Sequence, residues 1–337
     1  MVSLAALRYR NILAAEGGPV ASVETGSFPV LGKNMFLANA RLTPGLSRRA
    51  GPMTMYSDAD GTGMDPVPSV ARHKAVSEAL ERWAFHATVR EGRAEEFGFD
   101  VDPSSTGMAA FPGLLRRSVR RSAMLEAIER FSLMAWWEGR APGRSFETDW
   151  PGVSAVAIDG PFGGMTVIAY AATEWGGYVY GHAAEESFGA ACERAVMELA
   201  RHEWVLRSRW LAAVAGEARV ATNIFERRCL FFAGDEGVEL FQERLAQAPD
   251  EAMPAVEIIC DREIPGPWSD YATVWRFALR PPSDGHFRGG ERYFFAVDGY
   301  GGRMGDIVLA WSLAPPVPVA HDAFANAVVI GADEEWL

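Results

Sequence analysis

Residues 78–83 read EALERW and residues 126–131 read EAIERF. Both hexapeptides carry two glutamates three apart with an arginine directly after the second, and both lie in stretches of helical periodicity. In a helix, positions i, i+3 and i+4 share a face, so Glu78, Glu81 and Arg82 project together, as do Glu126, Glu129 and Arg130. Either copy alone reads as an ordinary i, i+4 ion pair on a solvated face, worth about 0.2–0.5 kcal/mol. Two copies read differently. Each is followed by an aromatic residue, Trp83 or Phe131, and is surrounded by small residues, so the faces are expected to point inward, where unpaired carboxylates are costly. Clustered carboxylates ask for a cation, and arginine beside them suits a metal-bound polyphosphate. Mg²⁺ takes one or two carboxylates and fills its remaining positions with phosphate oxygens and water.

Working outward from these helices, residues 1–65 mix short apolar runs with Gly, Pro and Ser, which predicts strands and loops. A helix is expected over 68–88, with Pro68 and Ser69 as start signals, and a second over 114–140, stopped by Pro142. Residues 153–181 fall into short apolar runs divided by Gly-Gly and Gly-Pro, the pattern of antiparallel strands. A third helix follows over 185–215, with acidic residues at its start and arginine toward its end. Strands followed by a motif helix thus repeat along the chain. Beyond 216, one helix (237–248) and strands at 255–261, 271–279, 292–299, 307–313 and 326–331 are expected, with a proline-rich segment, APPVPV, at 314–319. The expectation is one α/β domain over 1–337, its motif-bearing core at 57–215 and a strand-rich part at 216–337.

Composition narrows the function. The chain is 49% hydrophobic, enough for a large core, and its formal net charge of −12 argues against a general nucleic-acid or acidic-lipid surface. Cys192, Cys229 and Cys260 lie far apart with no CxxC pair, which excludes a zinc knuckle or disulfide framework and fits a reducing cytoplasm. No run reaches the 18–20 or so apolar residues that a membrane span needs, and the amino-terminal stretch has no export signal. The six histidines form no HExxH or HxxxH pair and read as structural or exposed rather than as ligands. His202, four residues after Glu198, is the exception worth testing.

Three blocks carry a family resemblance. SDADGTGMDPVPSVARHKAVSEALERWAF at 57–85 resembles the first block of the YcaO family, a small Gly-Lys-Gly turn followed by an alanine-rich helix ending in ExxER. SSTGMAA at 104–110 with AMLEAIERFSLMAWW at 123–137 is similar to that family's second loop and second ExxER helix. GHAAEESFGAACERAVMELARHEW at 181–204 resembles the helix bearing its RxxxE, here Arg194 to Glu198. The blocks stand in the family's order and cover 57–204.

The resemblance implies a YcaO-like fold, with long helices around a central nucleotide cavity, and ATP-dependent activation of a peptide backbone amide. A Cys, Ser or Thr side chain, or external sulfide, adds to the carbonyl; its oxygen takes the γ-phosphoryl group and phosphate leaves, giving an azoline or a thioamide. ATP and Mg²⁺ are the implied cofactors. The resemblance assigns Glu78, Glu81, Glu126, Glu129 and Glu198 to metal, and Lys74, Arg82, Ser105, Arg130 and Arg194 to the nucleotide. Glu78, Glu129 and Arg194 are assigned to catalysis. No enzyme nucleophile is needed, because phosphoryl transfer is mainly positioning and charge neutralisation. Implied partners are a peptide substrate and a separate leader-peptide-recognition or sulfur-delivery protein, with homodimerisation left open.

The departures are local. Gly61-Thr62-Gly63 stands where the family has Gly-Lys-Gly, two residues further from Glu78 than usual, and Lys74 stands where a serine is typical. Lys74 either contacts phosphate in place of the missing lysine, fills the site with a salt bridge, or is a solvated helix lysine. Near Ser118 an acidic or amide residue of the family pattern is missing. These departures leave a non-catalytic scaffold with an eroded nucleotide site as the alternative. A carboxylate-bridged dimetal protein is disfavoured by the lack of any ExxH.

Overall fold

The computed structural model describes residues 4–30, 33–46, 59–113, 116–216, 224–246 and 254–282. In chain order these form α1 (Leu4–Arg8), β1 (Val20–Val30), β2 (Lys33–Leu42), β3 (Gly61–Asp65), α2 (Pro68–Arg90), β4 (Met108–Phe111) and α3 (Arg116–Trp137). There follow β5 (Arg144–Glu147), β6 (Val153–Asp159), β7 (Met165–Ala172), β8 (Tyr178–Glu185), α4 (Phe188–Val214), α5 (Ile224–Phe232), α6 (Asp235–Ala246), β9 (Ile258–Glu263) and β10 (Thr273–Leu279). The chain is α/β, as expected. Three antiparallel sheets, ordered β1-β2-β3, β4-β10-β9 and β5-β6-β7-β8, each back one long helix: α2, α3 and α4 respectively.

Small residues set how closely helix and sheet approach. In α2 the buried alanines 71, 75 and 79 repeat every four residues, and in α4 Ala191, Ala195 and Leu199 do the same. Opposite them lie strand glycines. A Cβ on Gly61 would sit 2.2 Å from Ala75 O, one on Gly63 2.2 Å from Ala71 O, and one on Gly181 2.2 Å from Ala195 O. These strands therefore touch helix backbone, an approach only glycine permits. Around α3, Val119, Ala123, Ala127 and Phe131 make the same four-residue stripe against Phe277 and Leu279 of β10.

The structure amends several expectations. Gly61-Thr62-Gly63 is strand, not turn, because the two glycines are spent on contact with α2. Pro68 occupies the first turn of α2 after Val67, which makes no side-chain cap, so Pro68 rather than Ser69 marks the start. α4 begins at Phe188, since β8 runs through Glu185; its first turn has no acidic residue and its last no basic one. α1, α5 and the short edge strand β5 had no counterpart in the sequence reading. The middle sheet draws two of its three strands from beyond residue 257, which no local pattern announces. The strands expected at 292–299, 307–313 and 326–331, and the proline-rich 314–319, lie outside the described residues. Trp136 is buried, Trp137 is partly buried beside it, and the three cysteines are buried thiols. No helix among the described residues is long and apolar enough to cross a membrane.

Candidate functional site

The motif glutamates project from α2, α3 and α4 onto backbone N–H groups of the strands, in a repeating pattern. The first glutamate of each motif accepts from its own repeat's strand. Glu78 Oε2 takes Thr62 N at 2.9 Å, Glu126 Oε2 takes Gly107 N and Met108 N at 3.0 and 3.1 Å, and Glu198 Oε2 takes His182 N at 2.8 Å. The glutamate three residues later accepts from the following repeat. Glu81 Oε1 takes Ala110 N at 2.8 Å, and Glu129 Oε2 takes Ala184 N at 3.1 Å. The carboxylates thereby pin α2 and α3 each to two strands. α4 departs from the rule: three residues after Glu198 stands Arg201, which donates to Thr62 Oγ1 of β3 at 3.4 Å and to Glu198 Oε1 at 3.5 Å. The third repeat thus reaches back to the first, and the polar groups close into a ring.

Basic groups are distributed unevenly around it. Arg82 bridges Glu78 Oε1, at 3.1 Å, and Ser105 Oγ, while Arg130 pairs with buried Asp102 at 3.2 Å. His182 Nδ1 stands 2.9 Å from Glu129 and 3.5 Å from Glu198. His202 Nε2, fully buried, lies 3.5 Å from Glu198, and its Nδ1 meets Tyr180 O at 2.6 Å. The loop that supplies Ser105 and Gly107 is held by Arg276 of β10, 0% exposed, which donates to the carbonyls of Asp102, Ser104 and Thr106 and lies 4.5 Å over Phe99. These acceptors engage its two terminal nitrogens, while its Nε is buried without a hydrogen-bond partner among the described residues.

The electrostatics split the ring in two. Burial, then repulsion from Glu126 and Glu78, pushes the Glu81 carboxyl well above the usual carboxylate range. Burial, then Glu129, pushes Glu126 up to about 8. On the other side, burial tends to raise Glu198, but His182, His202 and Arg201 outweigh it and bring it down to about 2. Burial lowers the His182 imidazole, and Glu198 and Glu129 overcome that to raise it above its ordinary value; burial brings His202 down to about 3. Negative charge is therefore undercompensated at Glu81 and Glu126 and compensated at Glu198.

Of the residues singled out in the sequence, Glu78, Glu81, Glu126, Glu129, Glu198, Arg82, Ser105 and Arg130 belong to this connected network. Arg194 is 61% exposed and pairs with Glu185 at 2.6 Å. Lys74 is 54% exposed and meets Asp65 at 2.8 Å and Met64 O at 3.1 Å, so its ammonium is committed to the end of β3. His182, Arg201 and Arg276 escaped the sequence reading. His182 and Arg201 carry a signal visible in retrospect: Gly181-His182 precedes Glu198 by the spacing with which Gly61-Thr62 precedes Glu78, and Arg201 occupies the motif position of Glu81 and Glu129.

Among the described residues no three His, Cys, Asp or Glu side chains are gathered as a preformed metal-ligand set. The donor chemistry nonetheless fits a hard divalent cation shared with a phosphate, which needs only one or two carboxylates. Glu81 and Glu126 each give one oxygen to backbone N–H groups and keep the other without a donor among the described residues. Burial and the neighbouring carboxylates disfavour charge on both, a penalty that a metal ion would relieve.

No protein-family model matches the chain, and no curated protein matches it. Among solved structures the chain is similar to "The structure of YcaO from Methanopyrus kandleri bound with AMPPCP and Mg2+", at 16% sequence identity and a TM-score of 0.48, over 83% of this chain and 90% of that one.

Proposed function

We propose that the chain binds Mg·ATP at this ring and activates a peptide backbone amide by O-phosphorylation, leading to an azoline or a thioamide. The observation that supports the reading is the joining of the two ExxER faces, with Glu198, into one polar network whose Glu81 and Glu126 are short of positive charge. The peptide amide as substrate, a separate leader-recognition or sulfur-delivery partner and a cytoplasmic setting rest on the motif resemblance at 57–204. Glu81 and Glu126 hold the Mg²⁺, with Glu78 beside them. Bound there, Mg²⁺ neutralises phosphate charge and orients the transferring group. Glu78 fixes the Arg82 guanidinium, which Ser105 holds from the other side. Glu129 and Glu198 hold His182 between them and anchor α3 and α4 to β8.

A second reading, a non-catalytic scaffold, is favoured by one observation. Every motif glutamate already accepts a backbone N–H, so the carboxylates also serve as structural ties. Calorimetric titration of the full chain with Mg·ATP, followed by phosphate release in the presence of a precursor peptide and its partner, separates the two. The enzyme reading expects binding and peptide-dependent phosphate release. Binding without release favours the scaffold, and a wild-type protein that takes no Mg·ATP overturns the proposal.

A further inference from the structure

The third repeat breaks the pattern of the other two at one position. Glu81 and Glu129 reach forward to Ala110 N and Ala184 N, each two residues beyond the strand residue (Met108, His182) that binds the next helix's first glutamate. The equivalent side chain of α4 is Arg201, and it reaches Thr62, the strand residue that binds Glu78. A guanidinium therefore stands where symmetry would put a sixth carboxylate, between Glu198 and the Thr62–Glu78 pair.

How Arg201 is held separates it from the other arginines nearby. Arg82 and Arg130 are engaged by close partners, and Arg276 is sealed in the core. Arg201 makes two contacts, at 3.4 and 3.5 Å, both at the weak limit of hydrogen bonding. Its side chain is 29% exposed and none of its nitrogens is buried without a partner, so the donors it does not use remain open to solvent. Guanidinium has five donors in a planar fork suited to phosphate oxygens. Glu198 lies close enough to bias its position and too far to saturate it.

We infer that Arg201 is the anion-contacting arginine of the ring, taking phosphoryl oxygens of the ligand from the α4 side while Glu81 and Glu126 face its metal ion. This rests on the Mg·ATP reading and deepens it. It divides the ring into a metal side on α2 and α3 and a phosphate side on α4, and it gives that role to a residue that no motif marks.

The test is calorimetric binding of Mg·ATP and, separately, of Mg·tripolyphosphate to the full chain and to Arg201→Met, Arg201→Lys and Arg207→Met. Arg207 lies on the same helix in an exposed pair with Glu174 and serves as the control. The expected result is a loss of about tenfold or more for both probes in Arg201→Met, a smaller loss in Arg201→Lys, which keeps the charge but not the fork, and no change in Arg207→Met. Melting without ligand identifies any variant that fails to fold, and Arg201→Lys then decides. If folded Arg201 variants bind both probes as the wild type does, the inference is overturned and the Mg·ATP reading stands. If the wild type binds Mg·tripolyphosphate in an Arg201-dependent way but refuses Mg·ATP, the nucleotide reading fails and the anion contact survives. If the wild type binds neither, both fall.

Discussion

The backbone N–H of His182 donates to Glu198 Oε2 at 2.8 Å, the same relationship that Thr62 holds to Glu78 at 2.9 Å. In both repeats the residue before the donor is a glycine whose missing Cβ lets the strand lie against the helix backbone. A carboxylate tie and a glycine contact thus form one device, used twice. Its side-chain chemistry diverges at the donor residue: Thr62 adds a hydroxyl bond to Glu78 at 3.2 Å, whereas His182 adds a ring that spans Glu129 and Glu198.

The glycine contact makes a stability prediction. Gly181→Ala would put a Cβ 2.2 Å from both Ala195 O and Leu199 N, which are backbone atoms with little room to yield. The expected cost is about 1–3 kcal/mol or more in urea unfolding. Gly26→Ala, in β1 with nothing within 4 Å of the added carbon, should stay within about 0.5 kcal/mol of the wild type. Equal effects of the two substitutions would mean that β8 is not pressed onto α4 as described.

The charge shortfall makes a pH prediction. Glu126 holds its proton up to about pH 8 in the folded protein, against 4.5 for a free carboxyl. Between those values the folded state binds more protons than the unfolded chain, so stability falls as pH rises. Glu198, lowered to about 2, acts in the opposite window, contributing stability above 4.5 that is lost as pH falls toward 2. Melting temperature measured from pH 6.5 to 8, above the range in which His202 (about 3 folded, 6.5 free) acts in the opposite direction, should therefore decline for the metal-free wild type, and Glu126→Gln should flatten the decline and melt higher at pH 8. An Mg²⁺-dependent gain at pH 8 in the wild type, absent from Glu126→Gln, is expected if this carboxyl holds the metal. A wild-type profile that is level over this range contradicts the shortfall.

His182 makes a spectroscopic one. Its imidazole should titrate above 6.5 by NMR, because two carboxylates face it. A raised histidine stabilises the fold fully below its unfolded value and loses that contribution as pH rises through the folded one. His182→Gln, which keeps a donor but no charge, should cost more at pH 5.5 than at pH 8, and a cost independent of pH would remove the charge argument.

Arg276 makes a prediction about the loop under the site. Arg276→Met leaves three carbonyls and the Asp102 carboxylate without their buried donor. We expect a loss of about 3–5 kcal/mol. Adding Asp102→Asn should cost less than the sum of the two single changes, because the residues share one network. Strict additivity in urea melts would show that Asp102 and Arg276 do not depend on each other.

The reach of the sequence follows from the range of the forces involved. That Glu78 and Glu81, or Glu126 and Glu129, lie on one helix face was legible, because the i, i+3 relation is local geometry. The three helices and the strands at 153–181 were legible for the same reason. Thr62 and Gly61 were misread as part of a turn, since a strand glycine pressed on a helix looks like turn chemistry until the helix is in place. Which amide each carboxylate takes, and that Arg276 joins Asp102 across 174 residues, depended on packing alone. The same holds for Arg201: its neighbour Thr62 is 139 residues away and belongs to the sheet that closes the ring. Local spacing decided which groups the chain carries and on which face. Only tertiary packing, by bringing three repeats together so that the first two satisfy the next one's backbone and the third returns to Thr62 through Arg201, decided which charges are neutralised and which are left open.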